Sequence, residues 1–210
     1  MFLFDKLKKM GVTRVLLIKG LKDTNVAQYF LTFHERITSQ FSNRQSKAWH
    51  ILTKLFRDKN SATGIPKLIH SLVFSNDVGK VYCLADDVMI EAEHELETIL
   101  SKLKNLWSVK QDVKFEGYSY NIGDFIVRTV DARHKGMLVE VEYLPTTYPH
   151  AASSILSDFI DLIMPKDADI VRWDEKGDNS YKKVGLSEET FTRIHTAYQY
   201  MTLFKSESLL

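Results

Sequence analysis

Hydrophobic and polar positions alternate most clearly between Met137 and Tyr143. Met137, Val139, Val141 and Tyr143 fall on one side of an extended chain, and Leu138, Glu140 and Glu142 on the other. Strand side chains point alternately to two faces, so this segment has one apolar face and one mostly acidic face. Just before it, Phe125, Val127 and Thr129 oppose Ile126, Arg128 and Val130. Both sides are largely apolar there, the pattern of a strand covered on both faces. The polar stretch 131–136 ends in glycine and predicts a hairpin turn between strands at 124–130 and 137–143.

The same reading extends along the chain. Val12 to Lys19 is a short apolar run ending at Gly20 and predicts a strand. Asp23 and Thr24 then stand where they cap a helix whose apolar stripe is Val26, Phe30, Phe33, Ile37 and Phe41. A second strand is expected from Trp49 to Phe56, followed by a loop at 58–66 rich in breakers. Runs at 68–74 and 80–84 flank the turn-forming stretch 75–79 and predict another hairpin. Leu96, Ile99, Leu100, Leu103 and Leu106 mark a second amphipathic helix ending near Trp107, with a strand after it toward Phe115.

Beyond the central hairpin, Pro145 to Pro149 breaks the chain. Ile155, Leu156, Phe159, Ile160 and Ile163 then predict a third helix, stopped by Pro165. Residues 166–185 are charged and aperiodic and read as a long loop. A last helix is expected from near Ser187, with Glu188 and Glu189 at the positive end of its dipole. Its stripe is Phe191, Ile194, Tyr198 and Met201, which leaves Tyr200 free for solvent or a partner. Strands joined by hairpins, with helices before, between and after them, predict an α+β fold. The expected form is an antiparallel β-barrel of about seven to eight strands with helices packed outside.

Composition narrows the chemistry. The 210 residues suit one domain, 44% of them are hydrophobic, and 28 Lys and Arg against 27 Asp and Glu leave a net charge of +1. A nucleic-acid binder usually carries a basic excess, so direct nucleic-acid binding is disfavoured. The single cysteine, Cys83, excludes an internal disulfide and a cysteine zinc cluster, and reads as a small buried hydrophobe. No stretch approaches the roughly 18 consecutive apolar residues of a membrane span. The apolar part of the opening MFLFDKLKKMG is too short for a secretory signal. A soluble, intracellular protein is expected.

Phosphate-binding glycine loops and the nucleophile-elbow motif are missing from the sequence, as is any pair of histidines spaced for zinc. His94 lies in the acidic run 91–97, whose glutamates at helical spacing would form like-charge pairs that do not converge on it, so a solvated helix face is expected. Glu140 and Glu142 are the pair that most resembles an active site. Alternate glutamates on one barrel strand bind a divalent metal in tunnel-type triphosphate hydrolases. That chemistry needs several facing Lys and Arg, whereas Arg128 is the only basic residue of its strand, and position 144 is leucine where that family carries lysine. The favoured reading is an acidic face turned to solvent or a partner. Tyr118, Tyr120 and Phe125 lack interleaved basic residues and are read as core or interface.

Four stretches resemble one known family, subunit 20 of the Mediator head module, the RNA polymerase II coactivator. They are Met10-Gly-Val-Thr-Arg-Val15, Lys67-Leu-Ile-His70, the hairpin from Tyr118 through Gly136-Met-Leu-Val-Glu-Val-Glu-Tyr143, and Ala197-Tyr-Gln-Tyr-Met-Thr-Leu-Phe204. Their order is collinear over nearly the whole chain, with residues 1–9 as an amino-terminal extension before a domain at 10–210. The resemblance implies a non-enzymatic nuclear subunit without cofactor, metal or catalytic residues. It implies direct pairing with Mediator subunit 18, attachment through the carboxy-terminal part of subunit 8, and a role in transcription initiation and its regulation. The glutamates of VEVEY belong to the family's own wording, which favours a structural role for them. Trp107, Tyr118 and Tyr120, or Tyr200 and Leu203, are the candidate partner-facing residues, and the sequence does not rank them. The phosphohydrolase built on Glu140 and Glu142 is the alternative.

Overall fold

A computed structural model describes residues 10–19, 26–41, 45–60, 64–132, 135–166, 168–174 and 179–210. The proposed caps Asp23 and Thr24, the extension 1–9 and part of the 131–136 turn lie outside them. The strands are β1 (Val12–Ile18), β2 (Gln45–Asp58), β3 (Leu68–Phe74), β4 (Lys80–Ala85), β5 (Val88–Glu93), β6 (Trp107–Ile122), β7 (Phe125–Asp131), β8 (Met137–Tyr143) and β9 (Ile170–Arg172). Among the described residues the α-helices are α1 (Val26–Gln40), α2 (Glu95–Lys102), α3 (Pro149–Ile163) and α4 (Arg193–Ser206).

All nine strands form one sheet, ordered β5-β4-β3-β2-β6-β7-β8-β1-β9. Every neighbouring pair is antiparallel. One face wraps α4, in which every residue from His195 to Phe204 is buried. Val15, Leu17, Trp49, Ile51, Phe74, Phe115, Val130 and Leu138 close round it. The other face of β1, β7 and β8 presents Leu16, Ile18, Val127, Met137, Val139 and Val141 to α1 and α3. The alternation expected of 124–130 and 137–143 therefore holds, with each strand burying both sides.

The expected closed barrel is not what forms. β5 and β9 are both sheet edges, and a short 3-10 helix at Lys182–Val184 lies against β5. β9 pairs with Leu16–Ile18 alone. Over the preceding residues of β1, Gln199 of α4 takes the place of a neighbouring strand. Its Oε1 accepts the Val15 N–H at 2.7 Å, and its Nε2 donates to the Thr13 carbonyl at 2.9 Å. A side-chain amide thus answers two edge groups whose burial without partners would be costly.

Other elements differ from expectation in length. β6 is one strand across 107–122, where the sequence reads as a strand and a separate hairpin start. Gly117 in its middle comes so close to β7 that a Cβ would stand 1.9 Å from the Thr129 carbonyl oxygen. β2 likewise extends past its predicted ends. The acidic run 91–97 is split between β5 and α2, so it is no single helix face. α2 ends at Lys102 rather than near Trp107. Residues 166–185 hold β9 and the 3-10 turn.

The last helix starts at Arg193, not near Ser187. Ser187 Oγ accepts the N–H groups of Glu189 at 3.1 Å and Thr190 at 3.4 Å, closing a turn that is not continued. Extended Thr192 then precedes the helix, its N–H donating to His195 Nδ1 at 3.1 Å. His195 Nε2–H donates to the Ser187 carbonyl at 2.8 Å. Burial pushes the His195 pKa down, which favours this neutral form.

Gln199→Met keeps the side-chain volume and removes both edge bonds. Leaving a buried N–H and C=O unmet costs about 1–3 kcal/mol each. Chemical denaturation of the variant is expected to show a loss of roughly 2–5 kcal/mol with an unchanged m-value.

Candidate functional site

The hairpin register places Arg128 of β7 directly opposite Glu140 of β8, and Ile126 opposite Glu142. All three polar side chains lie on the face that wraps α4. Arg128 Nη1 donates to Glu140 Oε1 and, at 2.7 Å, to Glu142 Oε2. Arg193, at the start of α4, donates from Nη1 to Glu140 Oε1 at 2.8 Å. The Tyr200 hydroxyl, two turns along the same helix, donates to Glu140 Oε2 at 3.0 Å. The Gly11 N–H donates to Glu142 Oε1 at 2.9 Å. Two carboxylates and two guanidiniums form a charge-balanced cluster, and every carboxylate oxygen has a donor.

The cluster is inside the protein. Glu140 is 0% exposed, Arg128 2%, Glu142 4% and Arg193 8%. The Arg193 guanidinium carbon lies 3.7 Å from the centroid of the Phe74 ring, and the Arg128 one 5.9 Å from that of Trp49. Burial pushes the Glu140 carboxyl upward, but the guanidiniums of Arg193 and Arg128 outweigh it and hold its pKa below the usual 4.5. Burial also works against the Arg128 charge, and Glu140 and Glu142 reverse that, raising its pKa. Tyr200 is pushed well above 10.0 by burial and by the Glu140 charge, so it stays a hydrogen-bond donor.

The expectation that Glu140 and Glu142 face solvent or a partner is therefore overturned. The acidic face of β8 points into the core because α4 covers it and brings a second arginine. Their use as metal ligands meets the same obstacle, since a cation there would have to displace donors from every oxygen. A cavity of about 230 Å³ adjoins the cluster, lined by Met10, Asn76, Asp77, Ile126 and Leu144 together with Arg128, Glu142 and Arg193. Among the described residues, no three His, Cys, Asp or Glu side chains are grouped to hold a metal.

The other singled-out residues scatter. Cys83 is 1% exposed, with its thiol pKa pushed up to about 12 by burial and by Glu97. Tyr200 and Leu203, read as possible partner contacts, are fully buried because α4 has no free face. Tyr120 is buried too, against His34 of α1. Tyr118 is 42% exposed beside Phe30, and Trp107 is half-buried. Only these two of the five candidates reach the surface.

Sequence reasoning missed Arg193 and Gln199. Arg128 facing Glu140 follows from a hairpin centred on the 131–136 turn, so that pair was recoverable. Arg193 lies 53 positions from Glu140, beyond any local pattern.

The family profile described as "TATA-binding related factor (TRF) of subunit 20 of Mediator complex" matches residues 10–205. The chain belongs to the Mediator subunit 20 family. Its members are structural coactivator subunits and not enzymes. Mediator of RNA polymerase II transcription subunit 20 from Schizosaccharomyces pombe is 28% identical over 139 residues, 64% of this chain and 69% of the relative. The Anopheles gambiae subunit 20 is 25% identical over 111 residues, 48% of this chain and 51% of its own length. Subunit 20b of Arabidopsis thaliana is 25% identical over 157 residues, 70% of each. Among solved structures, the Schizosaccharomyces pombe Mediator head module contains a chain similar at a TM-score of 0.43 and 10% identity, over 76% of this chain and 98% of that one. The PH1012 protein of Pyrococcus horikoshii reaches a TM-score of 0.44 and 15% identity, over 75% of this chain and 94% of that one. Both likenesses are too loose to bear on function.

Glu140→Gln keeps the shape and leaves two buried guanidiniums facing one carboxylate. Breaking a buried pair from one side costs about 3–5 kcal/mol, and denaturant unfolding is expected to read a loss of that order. The pH dependence follows from the sign of the shift. Glu140 has a lower pKa folded than unfolded, so its contribution is present above about 4.5 and fades as pH falls through the lower folded value. Wild-type stability is expected to fall more steeply with acid in that window than that of the glutamine variant.

Proposed function

We propose that this chain is a non-enzymatic structural subunit of the Mediator head module that works in the nucleus, in RNA polymerase II transcription initiation and its regulation. In this reading residues 10–210 act as one domain behind an extension at 1–9. The domain pairs with Mediator subunit 18, and the pair attaches through the carboxy-terminal part of subunit 8. The observation that carries the proposal is the family match over residues 10–205.

The chemistry of the hairpin supports it. The glutamates of VEVEY are neutralised by the protein's own arginines and hold β7, β8 and α4 together. They serve as a fastening rather than as ligands for a substrate. The near-neutral charge of +1 fits a protein whose partners are proteins. Apolar and aromatic groups also remain at the surface, with Leu31 of α1 61% exposed and Tyr118 of β6 42% exposed.

Co-expression with Mediator subunit 18, followed by size exclusion and thermal melting, tests the pairing. A one-to-one complex melting clearly above the isolated chain is expected. A lone chain that elutes and melts identically with and without subunit 18 would rule the pairing out.

A further inference from the structure

Arg14 differs from the two arginines of the core. On β1 its side chain reaches α3, where Nη1 donates to Ser157 Oγ at 2.6 Å and Nη2 to Ser153 Oγ at 2.9 Å. Both acceptors are neutral hydroxyls. Among the described residues no carboxylate lies within ion-pair distance of Arg14, whereas Arg128 meets two and Arg193 one. The guanidinium is half-buried and held from one side, and it has donors left over. Burial and the charge of Arg172 lower its pKa, with Asp174 and Tyr181 opposing them.

Arg14 lines a cleft of about 290 Å³ together with Val12, Thr13, Ser153, Trp173 and Tyr181. The cleft opens beside the first residues of β1, where β9 gives out. Trp173 and Tyr181 stack with ring centroids 4.8 Å apart and supply an apolar wall. Thr13 is 1% exposed, and its Oγ1 has no hydrogen-bond partner. His150 and Asp174 also border the cleft and are exposed. Small-molecule sites usually run from about 300 to 1,000 Å³, so this one suits a single side chain and its neighbour better than a larger ligand.

We propose that this cleft receives an acidic side chain from a partner polypeptide, with Arg14 as its counter-charge and Trp173 and Tyr181 flanking the aliphatic stem. Two serines hold the guanidinium in place before the partner arrives, which reduces the ordering cost of forming a charged pair. The proposal takes the partner to belong to the Mediator complex, so it rests on the function proposed above for that identity alone. The cleft's preference for a carboxylate stands on the geometry.

Two measurements separate these parts. The first titrates the isotope-labelled full chain with N-acetylglutamate N-methylamide, its glutamine counterpart and inorganic phosphate, following the Arg14 Nε–H and Trp173 Nε1–H signals by NMR. Saturable shifts with the glutamate compound, absent with the glutamine one and abolished in Arg14→Met, are expected. No shift, equal shifts with glutamine, or shifts with phosphate alone would overturn the proposal, the last by making the cleft a free-anion site. The second compares recovery of Mediator on the wild-type chain and on Arg14→Met and Arg14→Lys, with melting curves to confirm that each is folded. Recovery about tenfold or more lower for Met, partly restored by Lys, is expected from the loss of one charge-assisted contact. Equal recovery on folded wild-type and Met chains would sink the proposal and leave the subunit function standing. Failure of the wild-type chain to recover Mediator would remove that function instead, and the NMR titration would then decide the cleft alone.

Discussion

Glu140 and Glu142 can occupy the core only because Arg128 and Arg193 are brought to them from two different elements. A lone carboxylate there would either take up a proton or oppose folding, since moving a charge out of water without a partner is expensive. Hairpin pairing brings Arg128 across from Glu140. The start of α4 supplies Arg193, and Tyr200 and the Gly11 backbone fill the remaining oxygens. β1, β7, β8 and α4 therefore have to be in place together. Burial of the hairpin's acidic face follows from that, as does the position at which α4 enters the sheet.

The same helix also answers the part of the β1 edge that β9 leaves open. Gln199 lies less than two turns beyond Arg193 and occupies the edge of β1 as a strand would. One helix thus neutralises the hairpin on one side and answers part of the β1 edge on the other, and it is itself buried from His195 to Phe204. A domain of this kind has its polar chemistry turned inward. What is left for partners is the periphery: exposed apolar groups around α1 and β6, and the cleft at Arg14. This division suits a subunit of a large assembly, whose interior must be rigid and whose contacts lie on its rim.

Much of this was legible in the chain, for local reasons. The two-residue period of 137–143 assigned each side chain to the correct face, and the glycine-ended turn paired it with 124–130. The third helix showed in its apolar stripe, with Leu156, Phe159, Ile160 and Ile163 buried as read and Ile155 40% exposed. What the acidic face of β8 meets was not legible, because its partner Arg193 comes from a remote helix whose start was obscured. Ser187-Glu188-Glu189 has the composition of a helix beginning, and only the contacts of Thr192 and His195 fix the true one. β9 spans three residues, too few to show a period, so the long loop read there concealed a sheet edge. Tyr200 looked free because a single apolar stripe was assumed for a helix that is buried all round.

The most direct measurement is a double-mutant cycle on Glu140→Gln and Arg193→Met, read by denaturant unfolding. Residues acting through one charged contact couple by about 0.5–3 kcal/mol, and an internally neutralised cluster predicts a value in the upper half of that range. Additive effects, within about 0.3–0.5 kcal/mol, would contradict it. Arg193 would then be an independent packing residue, and the hairpin's carboxylates would need another explanation for their place in the core.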